Sequence, residues 1–212
     1  MDHHFNIQPI SRLFGFDRGT PLDRYYIEKF LAKNAYHIKG RVLEVGDNTY
    51  TRKFGKAAVI HSDVLHAVES PSATIVGDLS TGENIPTDVF DAIILTQVIN
   101  FVYDFKSALR HAFLALKPNG VLLLTAAGIS QISRYDMDRW GDYWRFTDKS
   151  LRMALEELET TSNIEVRAHG NVAVAKAFLD GLALEEVPYP VLDHDDPDYQ
   201  MLLTATLRRG EG

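Results

Sequence analysis

The chain has 212 residues, of which 45% are hydrophobic and 24% charged, a composition that suits one folded domain and excludes a disordered or fibrous chain. A net charge of −7 argues against nucleic acid as the main partner, and the absence of cysteine removes disulfides and thiolate metal sites. No apolar run reaches the ~18 residues of a membrane span, and MDHHFNIQPISRL lacks the basic and apolar regions of a secretory signal, so a cytoplasmic domain is expected.

Residues 1–20, with Pro9, Gly15 and Gly19, read as an irregular arm. Leu22 to Asn34 reads as a helix, because Leu22, Tyr26, Ile27, Phe30 and Leu31 recur at helical spacing. Strands are expected at Arg41–Val45, at Ala57–Ser62 ending at Asp63, at Ala73–Gly77 ending at Asp78, at Phe90–Leu95 ending at Thr96, and at Val121–Thr125. Runs as continuously apolar as these suit parallel strands buried on both faces. A helix from Asp104 to Leu116 is stopped by Lys117-Pro118-Asn119-Gly120. Between the second and third strands the chain is short and carries Pro71, so a helix there is stunted. A helix over Asp148–Leu158, capped by Thr147 or Asp148, a strand over Asn163–His169, a helix over Val172–Leu184 and a closing strand over Gln200–Leu207 complete the chain. The expected architecture is one α/β domain over 1–212: arm and helix in 1–40, a parallel core in 41–125, and in 126–212 a loop and two more strands, the last antiparallel and beside the sixth.

The stretch RVLEVGDNTYTRKF, residues 41–54, organises the rest. A strand, a Gly-led turn and a helix start form the first half of a nucleotide-binding unit. The second half is an acidic residue about 20 positions on, placed to accept hydrogen bonds from a ribose, and Asp63 lies 19 residues after Glu44. Glu44 to Asp63 resembles the opening of a class I S-adenosylmethionine-dependent methyltransferase, in which an acidic residue after an apolar strand precedes a G-x-G-x-G loop. Here the loop positions are Gly46, Asn48 and Tyr50, so one glycine survives. Asn tolerates positive φ better than other non-glycine residues, so Asn48 can hold the turn, and Tyr50 must point away from the ligand or stack on it. The resemblance implies a Rossmann-like seven-stranded, mostly parallel sheet with helices on both faces, and S-adenosylmethionine as cofactor.

Further matches extend the resemblance over 41–125. Gly77-Asp78-Leu79 is similar to the family's third-strand motif, in which the Asp accepts from the adenine amino group. Phe90 to Ile99 is similar to its fourth-strand segment, which places Thr96 and Gln97 at the methionine end, and Leu116 to Leu122 is similar to its L-K-P-G-G-x-L turn, with Asn119 for the first Gly. By this resemblance the cofactor residues are Glu44, Gly46, Asp47, Asn48, Asp63, Gly77, Asp78, Leu79, Thr96 and Gln97.

Residues 129–147, ISQISRYDMDRWGDYWRFT, hold both tryptophans, three arginines and three aspartates. The segment D-Y-W-R-F-T resembles small-molecule methyltransferases associated with sugar and polysaccharide genes. Aromatic faces with convergent polar groups suit a polar ring-containing acceptor, so Tyr135, Arg139, Trp140, Asp142 and Tyr143 are expected at the substrate. An Arg/Asp network packing the loop onto the body is the competing reading. An oxygen nucleophile also needs a base; the candidates are Asp136, Asp142, His169 and the His61/His66 pair, of which Asp136 and His169 are the choice. The acidic run Asp193–Asp198 matches no metal-loop spacing and reads as a solvated turn. Two rivals stand beside methyl transfer to a sugar, glycan precursor or natural product. One is a non-catalytic relative that uses the same cleft to bind a nucleoside or a partner. The other is a nicotinamide-dependent oxidoreductase, opposed by the missing G-x-G-x-x-G.

Overall fold

The computed structural model describes residues 6–160 and 163–211; residues 1–5 of the expected arm lie outside them. Strands β1 (Gly40–Val45), β2 (Val59–His66), β3 (Ile75–Val76), β4 (Phe90–Thr96), β5 (Leu116–Ala127), β6 (Ile164–His169) and β7 (Leu202–Arg208) form one sheet in the order β3-β2-β1-β4-β5-β7-β6. The first five run parallel, and β7 lies between β5 and β6, antiparallel to both. This is the expected Rossmann-like architecture. The strand order reverses between β1 and β4, which opens a crevice at their carboxyl ends.

Alternate residues of the central strands feed two cores. Leu43, Ile93, Leu95, Leu122 and Leu124 face α2 (Phe105–Ala115) and α4 (Asp148–Glu156), where Leu109, Ala112, Leu151 and Leu155 are buried. Val42, Ala92, Ile94 and Leu123 face α1 (Leu22–Lys33) and α5 (Val172–Asp180), where Ile27, Leu31, Val174 and Phe178 are buried. Side chains alternate across a strand, so apolar runs without a polar phase bury both faces. Short helices α3 (Arg134–Met137) and α6 (Tyr189–Leu192) sit in the connections.

Local chemistry sets the boundaries. Asp104 caps α2 by accepting from the Ser107 N–H, and Thr147 and Ser150 form a reciprocal box at the start of α4. Gly181, at φ +76°, ends α5 before the expected Leu184. Asn119 takes φ +66° where the resembling turn carries Gly, an Asn-tolerated conformation.

The connections on the β3 side of the sheet are leaner than expected. After β1 there is one five-residue π-helical turn, Thr51–Gly55, and among the described residues no helix joins β2 to β3 or β3 to β4. The β1–β2 connection is barely the dozen residues that a parallel crossover needs. The ends of β2 also differ from expectation. It runs through Asp63 to His66, because pairing with β1 continues to Val45↔Leu65. Asp63 therefore lies inside the strand and not at its end.

Candidate active site

A cavity of about 450 Å³ opens at the carboxyl ends of β1, β4 and β5. Glu44, Val45, Thr96, Gln97 and Ala127 form its base. The loop after β1 contributes Asp47, Thr49 and Tyr50, and the loop after β5 contributes Ser130, Gln131, Ser133, Asp136, Asp142 and Arg145. Phe14, Phe16, Asp23 and Arg24 close it from the arm and α1.

Glu44 is buried, and its carboxylate accepts the N–H groups of Tyr50 at 3.2 Å and Thr51 at 2.7 Å. Burial pushes its pKa up, and the two N–H bonds oppose that rise. It clamps the loop to the strand. Gly46 has φ +88°, and no atom lies within 4 Å of where a Cβ would stand. The backbone there is an open cradle that a side chain would fill. Tyr50 lines the cavity and stacks on Phe54 at 6.1 Å between ring centroids, and burial raises its hydroxyl to about 12.

Gln97 ends β4 at φ +57°, with its N–H shared between the Thr125 carbonyl at 3.1 Å and the Thr125 hydroxyl at 3.2 Å. A non-glycine residue held left-handed at a strand end is a strained position of the kind found at functional sites. Asn100 is 2% exposed, and its carbonyl accepts the N–H groups of Tyr143 at 2.9 Å and Trp144 at 3.2 Å. Among the described residues four buried side-chain polar atoms lack a hydrogen-bond partner, and three of them, Asp23 Oδ1, Gln97 Oε1 and Asn100 Oδ1, belong to residues lining this cavity. Buried polar groups are normally paired, so their concentration here marks a place where a ligand supplies the partners.

The cavity gathers six of the expected residues: Glu44, Asp47, Thr96, Gln97, Asp136 and Asp142. Asn48 instead bonds Ser62 through Nδ2 at 3.1 Å. Asp63 is buried with both oxygens engaged, by Arg41 Nε at 2.7 Å and by the Thr74 hydroxyl at 2.9 Å. Burial pushes the Asp63 pKa up, but these bonds outweigh burial and hold it below the usual range. Gly77, Asp78 and Leu79 follow β3 along the same carboxyl edge, outside the cavity wall. Asp78 Oδ1 accepts the N–H and hydroxyl of Ser80, both at 2.7 Å. The Leu79 carbonyl meets the His111 ring at 2.7 Å.

The loop after β5 is built as a latch. Asp142 takes Arg145 in a two-pronged ion pair, at 2.5 Å and 2.9 Å, and accepts the Ser133 N–H at 2.9 Å. Asp136 accepts the Ser133 hydroxyl at 2.5 Å. Tyr135, Arg139, Trp140 and Tyr143, expected at the substrate, are not in the cavity wall. Tyr135, Trp140 and Tyr143 are 66%, 46% and 47% exposed. The Asp136 carbonyl accepts the N–H groups of Arg139, Trp140 and Gly141, and the Arg139 guanidinium stacks 3.6 Å over Tyr135. These contacts turn the aromatic segment outward.

His169 lies at a second cavity, of about 240 Å³, beneath α1. Its ring meets Asp195 at 3.2 Å and Thr204 at 3.0 Å, and stacks on Tyr26. Burial lowers its pKa. The structure thus separates the two expected bases, Asp136 and His169. It adds Asp23, Arg24, Asn100, Phe14 and Phe16, which no sequence spacing marks.

A cavity at the switch point of this sheet order, over a Glu-clamped loop, defines a class I methyltransferase fold. The family model described as a methyltransferase domain (Methyltransf_23) matches residues 9–159, and the chain belongs to that family. A curated relative, the polyketide synthase ThaQ of Burkholderia thailandensis, is 27% identical over 108 residues, which cover 50% of this chain and 5% of the synthase. Among solved structures, the N-methyltransferase NodS of Bradyrhizobium japonicum WM9, in complex with S-adenosyl-L-homocysteine, superposes with a TM-score of 0.56 at 13% identity, over 95% of this chain and 94% of that one. A SAM-dependent methyltransferase from Archaeoglobus fulgidus gives 0.56 at 11% identity, over 88% and 94%.

The residues present fit the family's cofactor, S-adenosylmethionine. The Gly46 cradle admits close backbone approach, and the unpaired oxygens of Asp23, Gln97 and Asn100 suit its hydrogen-bond donors and positive charge.

Proposed function

We propose that the protein transfers the methyl group of S-adenosylmethionine to an oxygen of a small, hydroxylated acceptor: a sugar, a glycan precursor or another natural product. The observation that carries this reading is the cavity at the carboxyl ends of β1, β4 and β5, three of whose lining residues, Asp23, Gln97 and Asn100, carry buried oxygens without a partner. The partial likeness to a polyketide synthase supports a natural-product setting, and the D-Y-W-R-F-T segment supports a sugar-like acceptor.

The sulfonium cofactor supplies an activated methyl group. The chain's task is to align the acceptor with it. Glu44, through the loop it clamps, together with Asp47, Thr96 and Gln97, holds the cofactor end of the cavity. Ser130, Gln131 and Ser133, on the latched loop, hold the acceptor end. Asp142 and Arg145 fix that loop in place.

Calorimetric titration with S-adenosylmethionine and S-adenosylhomocysteine, with NAD and NADP as controls, tests the reading. Binding near 1 µM, about −8 kcal/mol, by the sulfur nucleosides alone is expected. Transfer of labelled methyl to a panel of monosaccharides, methyl glycosides and polyols then follows. Binding without transfer to any hydroxylated or amine compound would favour a non-catalytic nucleoside-binding protein.

A further inference from the structure

Two cations line the cavity, Arg24 on α1 and Arg145 on the loop after β5. Arg145 is committed to the loop itself. Its terminal nitrogens hold Asp142 and also donate to the Trp144 and Gln131 carbonyls. Arg24 differs. Among the described residues its guanidinium makes no ion pair and no hydrogen bond, and it stands 5.2 Å over the ring of Phe16, which lines the same cavity. A guanidinium over an aromatic face keeps its N–H edge open, and that edge matches a carboxylate in a two-pronged bond.

A second open donor stands beside it. Tyr50 lines the cavity from the loop after β1, and among the described residues its hydroxyl has no hydrogen-bond partner. Its ring stacks on Phe54 and its N–H is held by Glu44, so the side chain is fixed in place. Of the charges that act on this hydroxyl, that of Arg24 is the strongest, which sets the two donors near each other across the gap between α1 and the loop. The rest of the lining opposes an anion, because Asp23, Glu44, Asp47, Asp136 and Asp142 all belong to it. Asp23 feels the charge of Arg24, yet forms no ion pair with it. A negative group on a ligand has one favourable place in this cavity.

We propose that Arg24, with the Tyr50 hydroxyl, is the carboxylate site of the cavity; this rests on the methyl-transfer reading above. The guanidinium takes a ligand carboxylate through two N–H groups, and the hydroxyl donates a third bond. Two ligands of the reaction can bring that carboxylate: the methyl donor through its amino-acid end, or an acidic acceptor such as a uronic acid. Either way, one end of the ligand is pinned, which helps to align the acceptor with the methyl group. Arg24 and Tyr50 are binding groups and take no proton.

The test uses the whole chain as wild type, Arg24→Gln, Arg24→Lys and Tyr50→Phe. Calorimetry reads the affinity for S-adenosylhomocysteine and for methylthioadenosine, which keeps the nucleoside and the sulfur but lacks the amino-acid end. If the donor's carboxylate is the one held, Arg24→Gln weakens S-adenosylhomocysteine binding by roughly 10- to 100-fold, as for loss of a charge-assisted pair, and leaves methylthioadenosine within about twofold. Arg24→Lys should recover part of the loss, since it restores the charge without the fork, and Tyr50→Phe should lose less than Arg24→Gln. If the acceptor's carboxylate is the one held, both nucleosides bind every variant as they bind wild type. Glucuronic, galacturonic and gluconic acids, titrated onto the S-adenosylhomocysteine complex, then weaken in Arg24→Gln by the same factor, and their neutral parent sugars do not. Equal loss of both nucleosides in Arg24→Gln overturns the proposal, by making Arg24 a nucleoside or structural group. So does an Arg24→Gln variant that matches wild type toward S-adenosylhomocysteine and toward all three acids, including the case in which no acid binds. Failure of wild type itself to bind either sulfur nucleoside instead removes the methyl-transfer reading.

Discussion

Asp23 carries a thermodynamic consequence that can be read without any ligand. Its folded-state pKa of about 6 stands above the ordinary 3.8, so the folded protein binds more protons than the unfolded chain between those values. Stability therefore falls as pH rises through that window, and the full penalty is present at neutral pH. Asp23→Asn removes the charge and keeps the shape. Calorimetric melts should show it more stable than wild type at pH 7.5, by about 3 kcal/mol, with most of the gain gone near pH 4. Gly46 makes the opposite case. Gly46→Ala forces a side chain into φ +88° at roughly 1–2 kcal/mol and projects a methyl into the open cradle. S-adenosylhomocysteine affinity, measured by calorimetry, should fall by more than tenfold. The resemblance to the methyltransferase family directed attention to Glu44, Asp47, Thr96 and Gln97, and the structure brings these four to one cavity because each stands at or beside the carboxyl end of β1 or β4. Asp23 was not legible in the sequence, because an acid in a first helical turn is ordinary dipole complementation. Asp63 misled because the spacing that suggests a ribose ligand does not show where pairing with β1 stops.

The loop between β5 and α4 shows how one element serves the site by being fastened. Its ends are fixed by the Asn100 carbonyl, which accepts from Tyr143 and Trp144, and by the Ala127 carbonyl, which accepts from Phe146 at 2.8 Å. Trp144 donates to the Val102 and Tyr103 carbonyls and packs edge-on against Phe105. Asp142→Ala leaves the Arg145 guanidinium and the Ser133 N–H without their partner. It should cost about 3 kcal/mol, since breaking a buried pair strands the remaining charge. Hydrogen exchange should speed up across residues 129–147, and the β5 and β7 amides should keep their protection. The sequence offered two readings of this segment, an acceptor wall and a salt-bridge network. The latch is the network, and its Asp136, Asp142 and Arg145 share the cavity face with Ser130, Gln131 and Ser133, whose plain side chains carry no signal. The direction of the aromatic residues depends on the turn at Gly141, whose missing Cβ leaves room for the Tyr143 ring. Spacing along a loop does not encode that turn.

Across the whole molecule, the burial of both sheet faces was legible because the central strands are nearly continuous apolar runs, and so was the last strand lying antiparallel beside the sixth. The roof over the site was not, since it joins segments far apart in the chain. Residues 10–21 are held by the end of α5 and the turn after it. The Asp180 carbonyl accepts the Ile10 and Ser11 N–H groups, Glu185 takes the N–H and hydroxyl of Thr20, Arg18 pairs with Glu186, and Pro21 bridges Ala183. Position 15 takes glycine at φ +82°, since a Cβ there would stand 2.8 Å from the Leu182 carbonyl oxygen. Glu185→Ala should weaken S-adenosylhomocysteine binding several-fold and raise hydrogen exchange in residues 10–20, with the melting temperature shifted by no more than about 3 °C, as for a surface change of at most 0.5 kcal/mol.

That stitching also fixes when the protein becomes competent during its own synthesis. β1, β4 and β5 leave the ribosome well before residues 180–186, so the base of the cavity can assemble while its cover has nothing to fasten to. A nascent chain arrested after β6 should pair its parallel strands yet bind the methyl donor poorly.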